Sequence, residues 1–110
     1  MTARYVLTPQ AKEDLALIAE YITESSGLAT AETVVRELQR NFQLLAEHPD
    51  IGHCREDITD DPVVRFWSVY SYLVVFTPEA SKLTVLSILH GARDSRVIAS
   101  RIRSAQLGSD

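Results

Sequence analysis

The chain has 110 residues, 45% hydrophobic and 24% charged, with a net charge of −4. That length suits one domain, here taken as 1–110, which buries roughly 65% of its unfolded surface around one core. The composition excludes a chain that is disordered at rest, and the acidic balance argues against a protein that grips nucleic acid through a strongly basic surface.

No apolar run approaches the ~20 residues of a membrane span. The start, Met-Thr-Ala-Arg-Tyr, lacks a signal-peptide pattern. Cys54 is the single cysteine, so no internal disulfide forms. The expectation is a cytoplasmic protein with no membrane partner.

Arg4–Leu7 is short and rich in β-formers, and it reads as a first strand. Thr8-Pro9 marks a helix start: Thr8 caps free N–H groups and Pro9 has no N–H to leave unsatisfied. Glu13 and Asp14 are expected to favour the helix dipole at that end. Ala11, Leu15, Ile18 and Ile22 recur at helical spacing and form one face, which Leu17 and Tyr21 broaden. Gly27 stops the helix.

A second helix is expected from near Thr30, with Ala31, Val35, Leu38, Phe42 and Leu45 on its buried face, ending by Pro49 and Gly52. The short connection implies an antiparallel helical hairpin. Residues 51–62 read as a loop. Val63–Val69, Tyr72–Thr77 and Leu83–Leu89 are β-rich runs separated by Tyr70-Ser71 and Pro78–Lys82, an antiparallel meander. The third run is almost uniformly apolar and is expected to be a central strand buried on both faces. A final helix is expected over Ser95–Ser104, followed by a frayed tail at 105–110. The fold class is α+β in the order β-α-α-β-β-β-α, with the helical hairpin packed on one face of a small, mainly antiparallel, curved sheet.

Charge is uneven along the chain. Residues 1–50 carry eight acidic and four basic side chains; residues 51–110 carry seven of each. Arg93, Arg96, Arg101 and Arg103 make the C-terminal end locally basic.

The phrases Leu7–Leu15, Ile18–Ile22, His48–Gly52 with Arg55, Val64-Arg65 and Leu89–Asp94, in this order and with these gaps, resemble the ParE branch of the RelE/ParE toxins, including plasmid-stabilisation toxins. The resemblance spans residues 4–98. Arg65, His90, Gly91, Arg93 and Asp94 carry its signature. It implies a toxin neutralised by a ParD-like ribbon-helix-helix antitoxin in a hetero-oligomer, with DNA gyrase as the target. It implies no cofactor and no sequence-specific nucleic-acid binding by the toxin itself. The RelE branch cuts messenger RNA on the ribosome, and a non-toxic antitoxin-binding relative is a third reading.

RNA cleavage needs a base, an acid and a cation at the scissile phosphate. RelE-like nucleases draw on a basic and aromatic set. Against that set, Leu73 follows Tyr72 where an arginine is expected, Ile98 stands near an expected tyrosine, and Lys12 and Lys82 are the only lysines. Arg93 keeps one position. The reading is therefore a protein-binding toxin with no catalytic residues.

His90 reads as packed beneath the last helix, with a general acid/base role as the alternative. His48, His53 and Cys54 fit no structural zinc spacing. Arg93 and Asp94 either meet a target or close the turn into the last helix. The antitoxin-facing candidates are Glu13, Glu20, Glu24 and Glu37, which would steer a basic segment, and Trp67. The target-facing candidates are Arg93, Arg96, Arg101 and Arg103. Phe66 and Trp67 are expected to divide between the core and the outer face.

Overall fold

The computed structural model describes residues 4–90 and residue 100. Apart from residue 100, the expected final helix, the tail and the sites at Gly91, Arg93, Asp94, Arg96, Arg101 and Arg103 lie outside the described residues.

Strand β1 (Tyr5–Leu7) leads into helix α1 (Pro9–Ser26), then α2 (Leu28–Glu47), a short 3-10 turn (Pro49–Ile51), and strands β2 (Arg65–Val69), β3 (Tyr72–Pro78) and β4 (Leu83–His90). The sheet order is β1-β4-β3-β2; β1 is parallel to β4 and the other pairs are antiparallel. β4 is thus the central strand that its apolar run predicts. Gly27 alone links the helices, with φ +93° in a region open to glycine but costly for other residues. This single-residue joint lets α2 begin at Leu28, earlier than Thr30.

Both helices lay their apolar faces on one side of the sheet. Ile18 and Ile22 of α1 and Leu38, Phe42 and Leu45 of α2 pack with Val74, Phe76, Val85 and Ile88. The opposite face is also buried. Phe66, Leu73, Val75, Leu86 and Leu89 form a second cluster with Ile58 and Val64 from the long loop before β2. Phe66 therefore lies in the core on the loop side, while Trp67 packs partly buried on the helix side.

The loop is tied down at two points. His53 and Phe66 exchange backbone hydrogen bonds of 2.8 Å in each direction, extending the sheet beyond β2 by one residue. Arg55 grips Asp57 through two hydrogen bonds of 3.0 and 2.7 Å. That contact holds the exposed Asp57 carboxyl below its usual range.

The junction of α1 with β4 organises the fold. The pairing of β3 with β4 slips between Val75 and Phe76, which oppose Ser87 and Val85, so Leu86 has no partner. This bulge re-phases the alternation of β4. Leu83 and Val85 before it, and Ile88 after it, all reach the helix-side core.

β1 pairs only as far as Val85, leaving the β4 edge beyond it without a strand among the described residues. The start of α1 covers that edge. Thr8 Oγ1 donates to the Leu86 carbonyl at 2.8 Å and accepts from Ala11 N–H at 3.1 Å. Asp14 Oδ2 accepts from Ile88 N–H at 3.0 Å and from Ser87 Oγ at 2.7 Å, and Asp14 Oδ1 accepts from Gln10 Nε2 at 2.8 Å.

Asp14 is therefore not a dipole residue. It is buried, and the first turn of α1 contains no acidic side chain. Dipole effects fade beyond that turn. Thr8→Ala is expected to lower stability by about 2 kcal/mol, because it removes both the cap and a side-chain donor to the bulge carbonyl. Thr8→Ser should recover most of that loss in urea denaturation.

Candidate partner-binding surface

Asp14, Ile18 and Ile88 face a groove of 490 Å³ at the end of the sheet where α1 passes β4. Its rim is apolar and aromatic: Leu17 and Tyr21 from α1, Tyr72 from the start of β3, and His90 at the end of β4. Leu17 is 52% and Tyr21 67% exposed, so neither broadens the buried face of α1. That face instead runs through Ala11, Asp14, Ile18 and Ile22.

Each rim residue has a local cause. Tyr72 opens β3 after the two-residue turn Tyr70-Ser71 and pairs with His90 across the ladder. Their rings meet edge-on with centroids 6.0 Å apart. Partial burial, with a smaller contribution from Tyr21, raises the Tyr72 phenol above its ordinary range. His90 is exposed, which corrects the expectation of a covered imidazole. As the last residue of β4 it lines the groove beside Tyr72. Tyr70 is 64% exposed and holds φ +53°, unusual for a bulky side chain, at the adjacent hairpin tip.

Glu13, Glu20 and Glu24 project from α1 as an exposed carboxylate ridge beside Leu17 and Tyr21. Glu37 lies elsewhere, on α2. It is half-buried, 3.7 Å from Arg40, and accepts from Asn41 Nδ2 at 3.3 Å. Asn41 in turn accepts the Trp67 indole N–H at 3.0 Å. His53 stacks on Trp67 with centroids 6.0 Å apart. Glu37 and Trp67 thus share one polar chain at the β2 side, separate from the α1 ridge. Arg65, also on β2, directs its guanidinium to the exposed Cys54 thiol.

Among the described residues no group of three or more His, Cys, Asp or Glu side chains could hold a metal ion. No described helix is long and apolar enough to cross a membrane. Sequence reasoning missed which residues line this groove. Its signal was present in Leu17 and Tyr21, which fall off the Ala11–Ile18–Ile22 stripe and so cannot share its burial.

An exposed apolar groove beside a charged ridge on a small α+β domain is a candidate site for another macromolecule. The family model for the ParE toxin of the type II toxin–antitoxin system parDE matches residues 5–95, and the chain belongs to that family. It is 30% identical over 92 residues to toxin ParE1 of Caulobacter vibrioides, covering 84% of this chain and 93% of that one. Its fold is similar to that of the solved chromosomal ParDE toxin–antitoxin system from P. aeruginosa, with a TM-score of 0.67 at 19% identity, covering 81% of this chain and 96% of the other.

Proposed function

We propose that this toxin is held inactive in the cytoplasm by a ParD-like antitoxin in a hetero-oligomer, and that once released it poisons DNA gyrase by docking rather than by catalysis. The observation that carries the docking reading is the apolar groove between α1 and β4 with three carboxylates alongside. Leu17, Tyr21 and Tyr72 offer area for apolar anchors, and Glu13, Glu20 and Glu24 attract a basic segment. Glu37 and Trp67 form a second point of contact on the β2 side. Arg93, Arg96, Arg101 and Arg103 are assigned to the target. Arg65, His90, Gly91, Arg93 and Asp94 carry the family signature, and none of them is assigned to proton transfer.

A supercoiling assay with purified toxin and gyrase tests the target. Inhibition with accumulation of linear DNA is the expected result. Scission of transcripts by the toxin on ribosomes, with gyrase unaffected, would replace this reading with the nuclease one. No effect on growth when the gene is induced alone would leave an antitoxin-binding relative.

The antitoxin surface has its own test. Glu20→Lys with Glu24→Lys is expected to slow association with a ParD-like antitoxin about tenfold at low salt, with a smaller effect at high salt. Stopped-flow mixing at two ionic strengths would measure it.

A further inference from the structure

The turn that joins β2 to β3 places a tyrosine where the backbone favours glycine. Tyr70 and Ser71 form a two-residue loop closed by the Val69–Tyr72 pair. Tyr70 is the one non-glycine with positive φ among the described residues. Tight hairpin loops select glycine, asparagine or aspartate at such positions, because a bulky side chain there crowds its own backbone. The chain follows that rule at Gly27, its other joint with positive φ among the described residues.

Nothing in the described fold offsets the cost. Tyr70 belongs to neither core cluster, and its side chain makes no hydrogen bond or ring contact with a described residue. Backbone strain that the fold itself does not use marks a residue that acts outward.

Two observations say what it meets. The first is position. Ser71 and Tyr72, the next two residues, line the groove between α1 and β4, so the hairpin tip continues the aromatic rim beyond Tyr72. Tyr21, Tyr70 and Tyr72, three of the four tyrosines of the chain, thus stand at this end of the sheet. The second is charge. Glu13, Glu20 and Glu24 flank the groove, and no described lysine or arginine lines it. Carboxylates repel the phosphates of a nucleic acid and attract a basic polypeptide. A tyrosine face receives the guanidinium or ammonium of such a segment together with its aliphatic stem.

We propose that Tyr70 is an anchor for a basic side chain of the antitoxin, held at the hairpin tip although it lowers the stability of the toxin itself. The inference rests on the assignment of the α1–β4 groove to the antitoxin and extends that surface to the β2–β3 turn. It sets stability against binding at one position, which a residue with a purely structural role does not do.

Tyr70→Asn and Tyr70→Gly keep the left-handed backbone and remove the ring. Each is expected to raise the melting temperature by roughly 3–5 °C. Each should also weaken, about tenfold by titration calorimetry, the binding of a ParD-like antitoxin that copurifies with the wild-type chain. Tyr70→Phe keeps both the ring and the strain, and should bind within about twofold of the wild type. A lower melting temperature for Tyr70→Gly, or unchanged affinity for both Tyr70→Asn and Tyr70→Gly, would overturn the inference. In the second case Leu17→Ser, at the groove itself, separates the causes. If Leu17→Ser weakens binding, the groove holds the antitoxin and only the anchor fails. If it too binds like the wild type, the groove assignment fails as well. Loss of gyrase inhibition with antitoxin affinity intact would place Tyr70 against the target and likewise overturn the inference.

Discussion

Asp14→Ala is expected to lower stability by about 3 kcal/mol and the melting temperature by roughly 12 °C, the largest effect of any single polar substitution proposed for this chain. The carboxylate accepts from two donors of the buried β4 edge, Ile88 N–H and Ser87 Oγ. Removing it strands both away from water, at ~1–3 kcal/mol each, while Gln10 can turn outward. Asp14→Asn can keep both β4 donors on its one amide oxygen and turn its N–H₂ toward Gln10, whose amide can swing outward, so well under half of the loss should remain. Ser87→Ala alone should cost about 1 kcal/mol. A double-mutant cycle between Asp14 and Ser87 should show coupling of about 1 kcal/mol, and additivity would disprove their shared role. Asp14 also forms the floor of the groove, so the folded fraction of Asp14→Asn should bind partner proteins less tightly.

Gly52→Ala is expected to cost about 2–3 kcal/mol. A Cβ at this position would meet the Phe76 ring, overlapping Cζ and lying 2.9 Å from Cε1, with the Arg65 Cβ 3.2 Å away. Phe76 is fully buried in the helix-side core and has no space to retreat. The backbone φ here is ordinary, so the requirement for glycine is close approach rather than a left-handed turn. Relief must come from the loop, which would loosen the bridge between His53 and Phe66. Amide exchange at His53 and Phe66 should therefore speed up more than at Val74. Equal acceleration at all three would show that the loop and sheet do not separate in this way.

The element order was readable because its causes are local. Steps of four, three and four among Ala11, Leu15, Ile18 and Ile22, and the Thr8-Pro9 start, specify a helix wherever they occur. The unbroken apolar run in β4 required cover on both faces, and the helices and the Ile58–Val64 loop supply it. Three readings failed for one common reason. Asp14 passed for a dipole residue, His90 for a covered imidazole, and Leu17 and Tyr21 for buried ones. Each depends on what lies opposite in space, which spacing along one helix or strand does not report. Asp14 did leave a trace: it sits three residues after Ala11 and four before Ile18, an acid on an apolar stripe.

By itself, the sequence determined the helices, the meander, the central place of β4 and the toxin family, since periodicity and short phrases are properties of neighbouring residues. Only the tertiary structure decided that β1 ends at Val85, that Leu86 bulges, and that Thr8 and Asp14 close the edge left open. The reason is that a buried donor must find an acceptor, and which acceptor is near depends on residues more than seventy positions away in the chain.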